Sequence, residues 1–290
     1  MSGFQFEAPT SVDEAVGLLG NAAGNARVLA GGTDLLVQLR AGVVKPDLVV
    51  DIKRIEELKA IKQESDGSFV IGAAVCGQAI SENEALHKAW PGVVEAMDLI
   101  GSTQVQGRAS LGGNLCNASP AADSVPGIIA AGAICIVAGP NGRREVPVED
   151  IPTGPGKTSL AKGEFVVAFK LPPRPAHSGD AYLRMIPRTE MDIAIVGAGV
   201  NLTLDDNGVC TAARVALGAV APTALLVKEA GDALIGTKLD DAALKKLAAA
   251  ASAACKPIDD KRGTIEYRKK VAGVLAQRAA KIALERAGSN

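Results

Sequence analysis

Two glycine pairs, one in LAGGTDLL (residues 29–36) and one in SLGGNLC (residues 110–116), limit what this chain can fold into. Each pair interrupts an apolar run and lets the backbone pass close to a neighbour or reach positive φ. Consecutive N–H groups in such a turn form a nest suited to an anion. Thr33 and Ser110 add hydroxyl donors beside the pairs, and Asn114 adds an amide. A single turn of this kind before a helix is most often only a turn, with Thr33 and Asp34 acting as caps. Two of them on adjacent modules have a further use: they can hold the two phosphates of a dinucleotide. Asp123, in the first turn of a later helix, is placed either to accept from ribose or ribityl hydroxyls or to complement the helix dipole.

The segments around these turns read as alternating elements. Ser11 with Glu14 three residues on predicts a capping box and a helix. ARVLA reads as a buried strand, LLVQLRAG as a short helix and PDLVVDIKRI as a second strand, giving a β-α-β-like opening module that ends near residue 57. Asp66-Gly67 and Asn141-Gly142 each sit between apolar runs, as in hairpins. The stretch 80–100 reads as helical in two pieces broken at Pro91. In SPAADSVPGIIAAGA, Ser119 reads as an N-cap with Pro120 at the first helical position. EFVVAFKLP is a further strand, and the Pro-rich PPRPAHSGD (172–180) reads as a linker. Beyond it come antiparallel strands turning at Asp205–Gly208, then two strong helices.

The bulk numbers remove several functions. With 31 basic and 32 acidic residues the net charge is −1, so the basic surplus of a nucleic-acid protein is missing. The amino terminus lacks a basic segment followed by an apolar one, and the longest apolar run, Gly127–Gly139, is too short for a bilayer. A cytoplasmic protein with no membrane span is expected. Cys76, Cys116, Cys135, Cys210 and Cys255 are odd in number and widely spaced, which indicates neither a disulfide framework nor a metal cluster. His87 and His177 are the only histidines. No metal site and no catalytic triad are predicted.

Two motifs mislead. IVGAGVNL looks like the start of a dinucleotide fingerprint, but Leu202 stands where the third glycine belongs and turn residues follow instead of a helix. GPGKTSL looks like a P-loop, but Ile151 stands where that loop needs a glycine.

LAGGTDLLVQLR together with GGNLCNASPAADS resembles the FAD-binding medium subunit of molybdenum hydroxylases. This is the family of xanthine dehydrogenase FAD subunits and the carbon monoxide dehydrogenase medium subunit. TGPGKTSLAKGEFVVAFKLP, RTEMDIAIVGAGV, ARVALGAVAPT and DDKRGTIEYRKKVAGVLAQRA are similar to further family segments in the same order, so the resemblance spans essentially the whole chain. It implies an α+β fold: a two-part FAD-binding domain of the vanillyl-alcohol-oxidase-like (PCMH) type, with parts at 1–57 and 58–176. A C-terminal domain at 177–290, with a three-stranded antiparallel sheet and helices, completes it.

The resemblance also implies a cofactor site. Val28, Leu29, Ala30, Gly31, Gly32, Thr33, Asp34 and Leu35 are expected to wrap the FAD pyrophosphate, with Ser110, Leu111, Gly112, Gly113 and Asn114 completing the cradle. Asp123 is expected at the sugar or ribityl hydroxyls, and Val166 near the flavin. Arg184 falls where relatives often carry Lys, and Ile193 where some carry Tyr against the flavin ring. This chain has VQG at Val105–Gly107 where the family usually has IRN, so the approach to the second turn is expected to differ locally. No inserted iron–sulfur loop is present. By family analogy, a small subunit with two [2Fe–2S] clusters and a large subunit with a molybdenum cofactor are the expected partners, in a dimer of heterotrimers. This chain would pass electrons through FAD to an external acceptor, and it has no catalytic acid or base of its own. The substrate and the acceptor are not legible. Two other readings are a stand-alone FAD oxidoreductase acting on a small substrate, and a scaffold that has lost FAD.

Overall fold

The computed structural model describes residues 3–289. Met1, Ser2 and Asn290, assigned above to the first and third parts, lie outside the described residues.

The first module is a small parallel sheet. Strand β1 (Gln5–Glu7) leads to helix α1 (Val12–Asn21), strand β2 (Ala26–Leu29), helix α2 (Leu35–Arg40) and strand β3 (Leu48–Asp51). The strand order is β1-β3-β2, parallel throughout. The predicted capping box forms: Ser11 Oγ accepts from the Glu14 N–H at 3.2 Å, and Glu14 accepts from the Thr10 N–H at 2.9 Å. A cap of this kind is worth about 1 kcal/mol. Val12, Ala15 and Leu19 of α1 bury against Leu48 and Val50, and the same core continues into Phe165, Val167 and Ala168 of the next module.

The middle module runs from β4 (Ile61–Gln63) and β5 (Phe69–Gly72) through α3 (Gly77–Ser81), α4 (Glu84–Ala89), α5 (Pro91–Asp98), α6 (Thr103–Gln106), α7 (Leu111–Cys116) and α8 (Ser124–Ala130). It closes with β6 (Ile134–Gly139), β7 (Gly142–Pro147), β8 (Pro152–Gly154), β9 (Lys157–Thr158) and β10 (Phe165–Leu171). Its main sheet is β4-β5-β10-β6-β7, in which every pairing is antiparallel. Both expected hairpins form, and the helices pack their Val, Ile, Leu and Trp side chains on this sheet.

The expected helix start at Ser119 is corrected. Ser119 Oγ accepts from the Ala121 N–H at 3.3 Å, which makes a local turn, and Ala118 just before it has φ 49°. A short hydroxyl serves a turn as readily as a cap. The helix begins only at Ser124, with Asp123 at the N-cap position.

The third module holds β11 (Ser178–Met185), β12 (Val196–Leu204), β13 (Cys210–Gly218) and β14 (Leu225–Leu226), followed by α9 (Lys228–Asp232), α10 (Asp241–Ala254) and α11 (Ile265–Gly288). The sheet order β11-β12-β13-β14 is antiparallel. Three long strands were expected; a two-residue fourth pairs at the edge. The linker is also shorter than expected, because β11 begins at Ser178, inside it. Among the described residues no helix is long and apolar enough to cross a membrane.

The second and third modules meet closely. A Cβ on Gly199 would lie 2.6 Å from the Pro126 carbonyl oxygen, and one on Gly218 would lie 2.8 Å from the Pro126 ring. Gly199, in the false fingerprint, and Gly218 therefore let the third sheet lie directly on α8. Ion pairs cross the same boundary: Arg286 with Glu95, and Arg214 with Glu149 at 3.0 Å.

Candidate functional site

The two glycine turns face one cavity of about 320 Å³, lined from one side by Gly31, Thr33, Asp34 and Leu35 and from the other by Ser110, Gly113 and Asn114. Their four glycines do different things. A Cβ on Gly31 would lie 2.0 Å from the Arg108 carbonyl oxygen, so Gly31 lets the two turns touch. Gly32 supplies φ +79°. Gly112 is a packing residue, since a Cβ there would lie 2.5 Å from the Ala73 carbonyl oxygen. Gly113 would meet only Ser110 Oγ, at 3.2 Å.

The hydrogen-bond pattern of the first turn is that of an anion nest. Among the described residues, no acceptor within the chain takes the N–H groups of Gly31, Gly32, Thr33 or Asp34. Four adjacent unpaired donors at a cavity mouth are unusual in a folded chain and suit an anionic ligand. Asp34 lines the same cavity, and burial raises its carboxyl above the usual range.

The second turn behaves differently from its sequence reading. Ser110, expected as a donor, accepts from the Gly113 N–H at 3.2 Å as the N-cap of α7. The Gly112 N–H is taken by the Ala73 carbonyl at 3.1 Å. Asn114 Oδ1 accepts from Ser124 Oγ at 2.7 Å and from the Ser124 N–H at 3.2 Å, which leaves its amide N–H groups as the donors at the cavity.

Asp123 is the second unusual group. Its Oδ2 accepts from Arg184 Nη1 at 3.0 Å, while its Oδ1 is buried with no partner. Burial pushes its pKa up to about 6 against the opposing pull of Arg184. Arg184 is turned inward, 3% exposed, and also donates to the Leu99 carbonyl at 2.6 Å.

Asp123 and Arg184 border neither this cavity nor the second one described below, and the remaining expected residues are not gathered at this cavity either. Val28, Leu29 and Ala30 belong to β2 and its end, and Leu111 is buried in α7. Val166 is buried in β10, paired with Val137 of β6. Ile193 is 54% exposed and borders a second cavity of about 300 Å³, which Pro120, Ala121, Pro155, Ala219 and Ile258 also line. The loop before it is held by Asp192, which accepts from Arg188 and Arg262 at 2.9 Å each; these two hold its carboxyl well below the usual range. The two cavities share a wall, since Asn117 and Gly156 border the first while Ser119 and Pro155 border the second.

Sequence reasoning missed Arg27, Gln38 and Asn117, all at the first cavity. Gln38 Nε2 donates to Asn117 Oδ1 at 3.0 Å, a link between the two modules. The signal was available: Gln38 lies four residues after Asp34 and Asn117 four after Gly113, one helical turn on from each nest. Among the described residues no group of three or more His, Cys, Asp or Glu is arranged to hold a metal.

The donor set fits FAD: an unpaired N–H run for a pyrophosphate, an amide opposite it and an orphaned carboxylate oxygen for a hydroxyl. Comparison with known proteins agrees. Residues 2–174 match the family described as the FAD binding domain in molybdopterin dehydrogenase, and residues 181–283 match the CO dehydrogenase flavoprotein C-terminal domain. The carbon monoxide dehydrogenase medium chain of Hydrogenophaga pseudoflava is 35% identical over 276 residues, covering 95% of each chain. The xanthine dehydrogenase FAD-binding subunit of Escherichia coli is 36% identical over 206 residues, 71% of this chain and 70% of that protein. In a solved Cu,Mo-CO dehydrogenase, a chain 35% identical superposes with a TM-score of 0.93, covering 99% of both chains.

Proposed function

This chain belongs to the family of FAD-binding subunits of molybdenum hydroxylases, and from that premise we propose that it is the electron-exit subunit of such an enzyme. It is an oxidoreductase subunit built for FAD. In this reading, electrons arrive from two [2Fe–2S] clusters on a small partner chain and leave for an external acceptor. A large partner chain carries the molybdenum cofactor and performs the hydroxylation. The assembly is a dimer of heterotrimers working in the cytoplasm, and the chain divides at 57/58 and 176/177.

One observation carries the reading: the unpaired N–H run of Gly31–Asp34 faces the second glycine turn across one cavity. Those N–H groups would hold the pyrophosphate, with the Asn114 amide opposite. Leu35 and Gly113 border the same space. Asp123 Oδ1 would accept from a ribose or ribityl hydroxyl, which restores a partner to a buried oxygen. Arg184 fixes Asp123 in position and compensates its charge. Ile193 would give the ring an aliphatic neighbour, excluding water on that side. FAD, when bound, supplies the redox chemistry at its flavin ring, and the protein supplies position and electrostatics. No acid or base is assigned to this chain.

The test is the visible spectrum of the chain purified natively with its partners, with metal analysis alongside. Flavin at about one per chain, with iron and molybdenum in companion chains, is the expected result. A colourless chain inside an intact, metal-loaded complex refutes the cofactor assignment.

A further inference from the structure

Helix α2 is a thin wall of the first cavity. It buries none of its residues, yet Leu35 and Gln38 border the cavity, as do Asp34 before the helix and Val43 and Val44 after it. The segment runs between two glycines at positive φ, Gly32 at +79° and Gly42 at +71°, and a Cβ on Gly42 would meet nothing within 4 Å. Glycine has no Cβ to restrict its backbone, so these are points about which a short helix can turn. Among the described residues, Gln38 is the one side chain of α2 in a hydrogen bond or ion pair, and its partner is Asn117 of the opposite wall.

Elsewhere the first two modules are joined away from the cavity. Their shared core runs from α1 to Phe165, Val167 and Ala168, and Arg143 pairs with Glu57 at 2.9 Å; none of these borders the cavity. FAD carries a ring system at each end and its pyrophosphate between them. A pyrophosphate seated on Gly31–Asp34 therefore requires one ring to pass between the walls on entry and again on exit. A bond that spans the walls opposes that passage in both directions.

We propose that Gln38 and Asn117 are the latch of this cavity: their hydrogen bond holds α2 against the second module and sets how fast FAD enters and leaves. This rests on the cofactor reading above and adds two positioning residues to it, neither of which touches the reacting atoms. A latch differs from a cofactor contact in its kinetic sign. Its bond is made whether the cavity is full or empty and is broken while the walls are parted. Losing it speeds uptake and release alike and leaves the affinity nearly unchanged, whereas losing a contact to FAD speeds release only.

Stopped-flow flavin fluorescence on the natively purified protein, with whatever chains accompany it, tests this. Release is followed into an excess of a competing flavin-binding protein, and uptake of FAD is followed after stripping. Gln38→Ala and Asn117→Ala suit their backbones, one inside α2 and one at the αR C-cap of α7, so both variants should melt with wild type. Each is expected to raise both rates about fivefold, the equivalent of one ordinary net hydrogen bond, with the dissociation constant within about twofold of wild type. The double variant should match the singles, because one bond is lost only once. Arg143→Ala, which removes the pair away from the cavity, should leave both rates as they are. Faster release with unchanged uptake overturns the latch in favour of a direct contact to FAD. Additive effects in the double variant overturn it too, as does an equal acceleration by Arg143→Ala, which would mean that the modules part as whole bodies. Unchanged rates in both single variants, in a protein that holds flavin, overturn the latch and leave the cofactor reading standing. Wild-type protein that takes up no FAD overturns the cofactor reading and the latch with it.

Discussion

Removing the Asp123 carboxylate separates its structural role from its cofactor role. In Asp123→Ala, Arg184 keeps its bond to the Leu99 carbonyl but loses its charge partner while 3% exposed. Breaking a buried ion pair by removing one partner costs about 3–5 kcal/mol. Replacing both partners by apolar residues, as in Asp123→Leu with Arg184→Met, avoids the uncompensated charge, removes the acceptor oxygen and should recover at least half of that loss. FAD binding should not follow the same order. Oδ1 is the oxygen left unpartnered, and a hydrogen bond to a charged acceptor contributes about 1.5–3 kcal/mol, which is about ten- to 150-fold in affinity. The double variant should therefore regain stability in urea denaturation and still bind FAD at least tenfold more weakly by flavin fluorescence titration. FAD affinity within twofold of wild type in that stable double variant would refute the role given to Oδ1. Parallel recovery of both quantities would mean that Asp123 acts only through the fold.

Gly31→Ala places a methyl 2.0 Å from the Arg108 carbonyl oxygen, so the two turns must part; a loss of about 1–3 kcal/mol and of the yellow colour is expected in a native preparation. Asp123 and Asp180 both have pKa values raised by burial to about 6 from 3.8. The folded state thus holds their protons more tightly, and their stabilisation is full below 3.8 and lost as pH rises through about 6. The FAD-free chain should lose about 1 kcal/mol per group between pH 5 and 7 in urea midpoints, with Asp180→Asn removing its share of the slope. Burial pushes the Cys116 thiol up to about 12 and raises Cys135 as well. Alkylation at pH 8, read by peptide mass, should therefore mark the half-buried Cys76 well before either.

Legibility in the sequence followed the range of the interaction. The capping box at Ser11 and the hairpins at Asp66-Gly67 and Asn141-Gly142 are settled within a few residues, and they formed as read. The glycine turns were visible as a pair, but the different work of their glycines was not. Gly31 answers to Arg108 and Gly112 to Ala73, contacts that only the fold creates. Ser119 carried every local mark of a cap and made a turn instead, because the chain there has to swing past Ala118. Arg184 meets Asp123 from 61 positions away, and nothing in either neighbourhood announces it. The whole-length resemblance supplied what spacing could not, namely which of the many glycine turns belonged together.

The seam between α8 and the third sheet bears on recombination among relatives. The Pro-rich stretch after Leu171 invites a chimera that joins one protein's first two modules to another's third. Yet Gly199 and Gly218 are fitted to Pro126, Arg184 to Asp123, Arg214 to Glu149 and Arg286 to Glu95. A crossover there splits each of these couples, and one of them steadies the carboxylate assigned to the cofactor. Shuffling at that joint should give functional offspring only when both parents share these couples. The boundary that looks most portable in the sequence is the one across which the two halves must be inherited together.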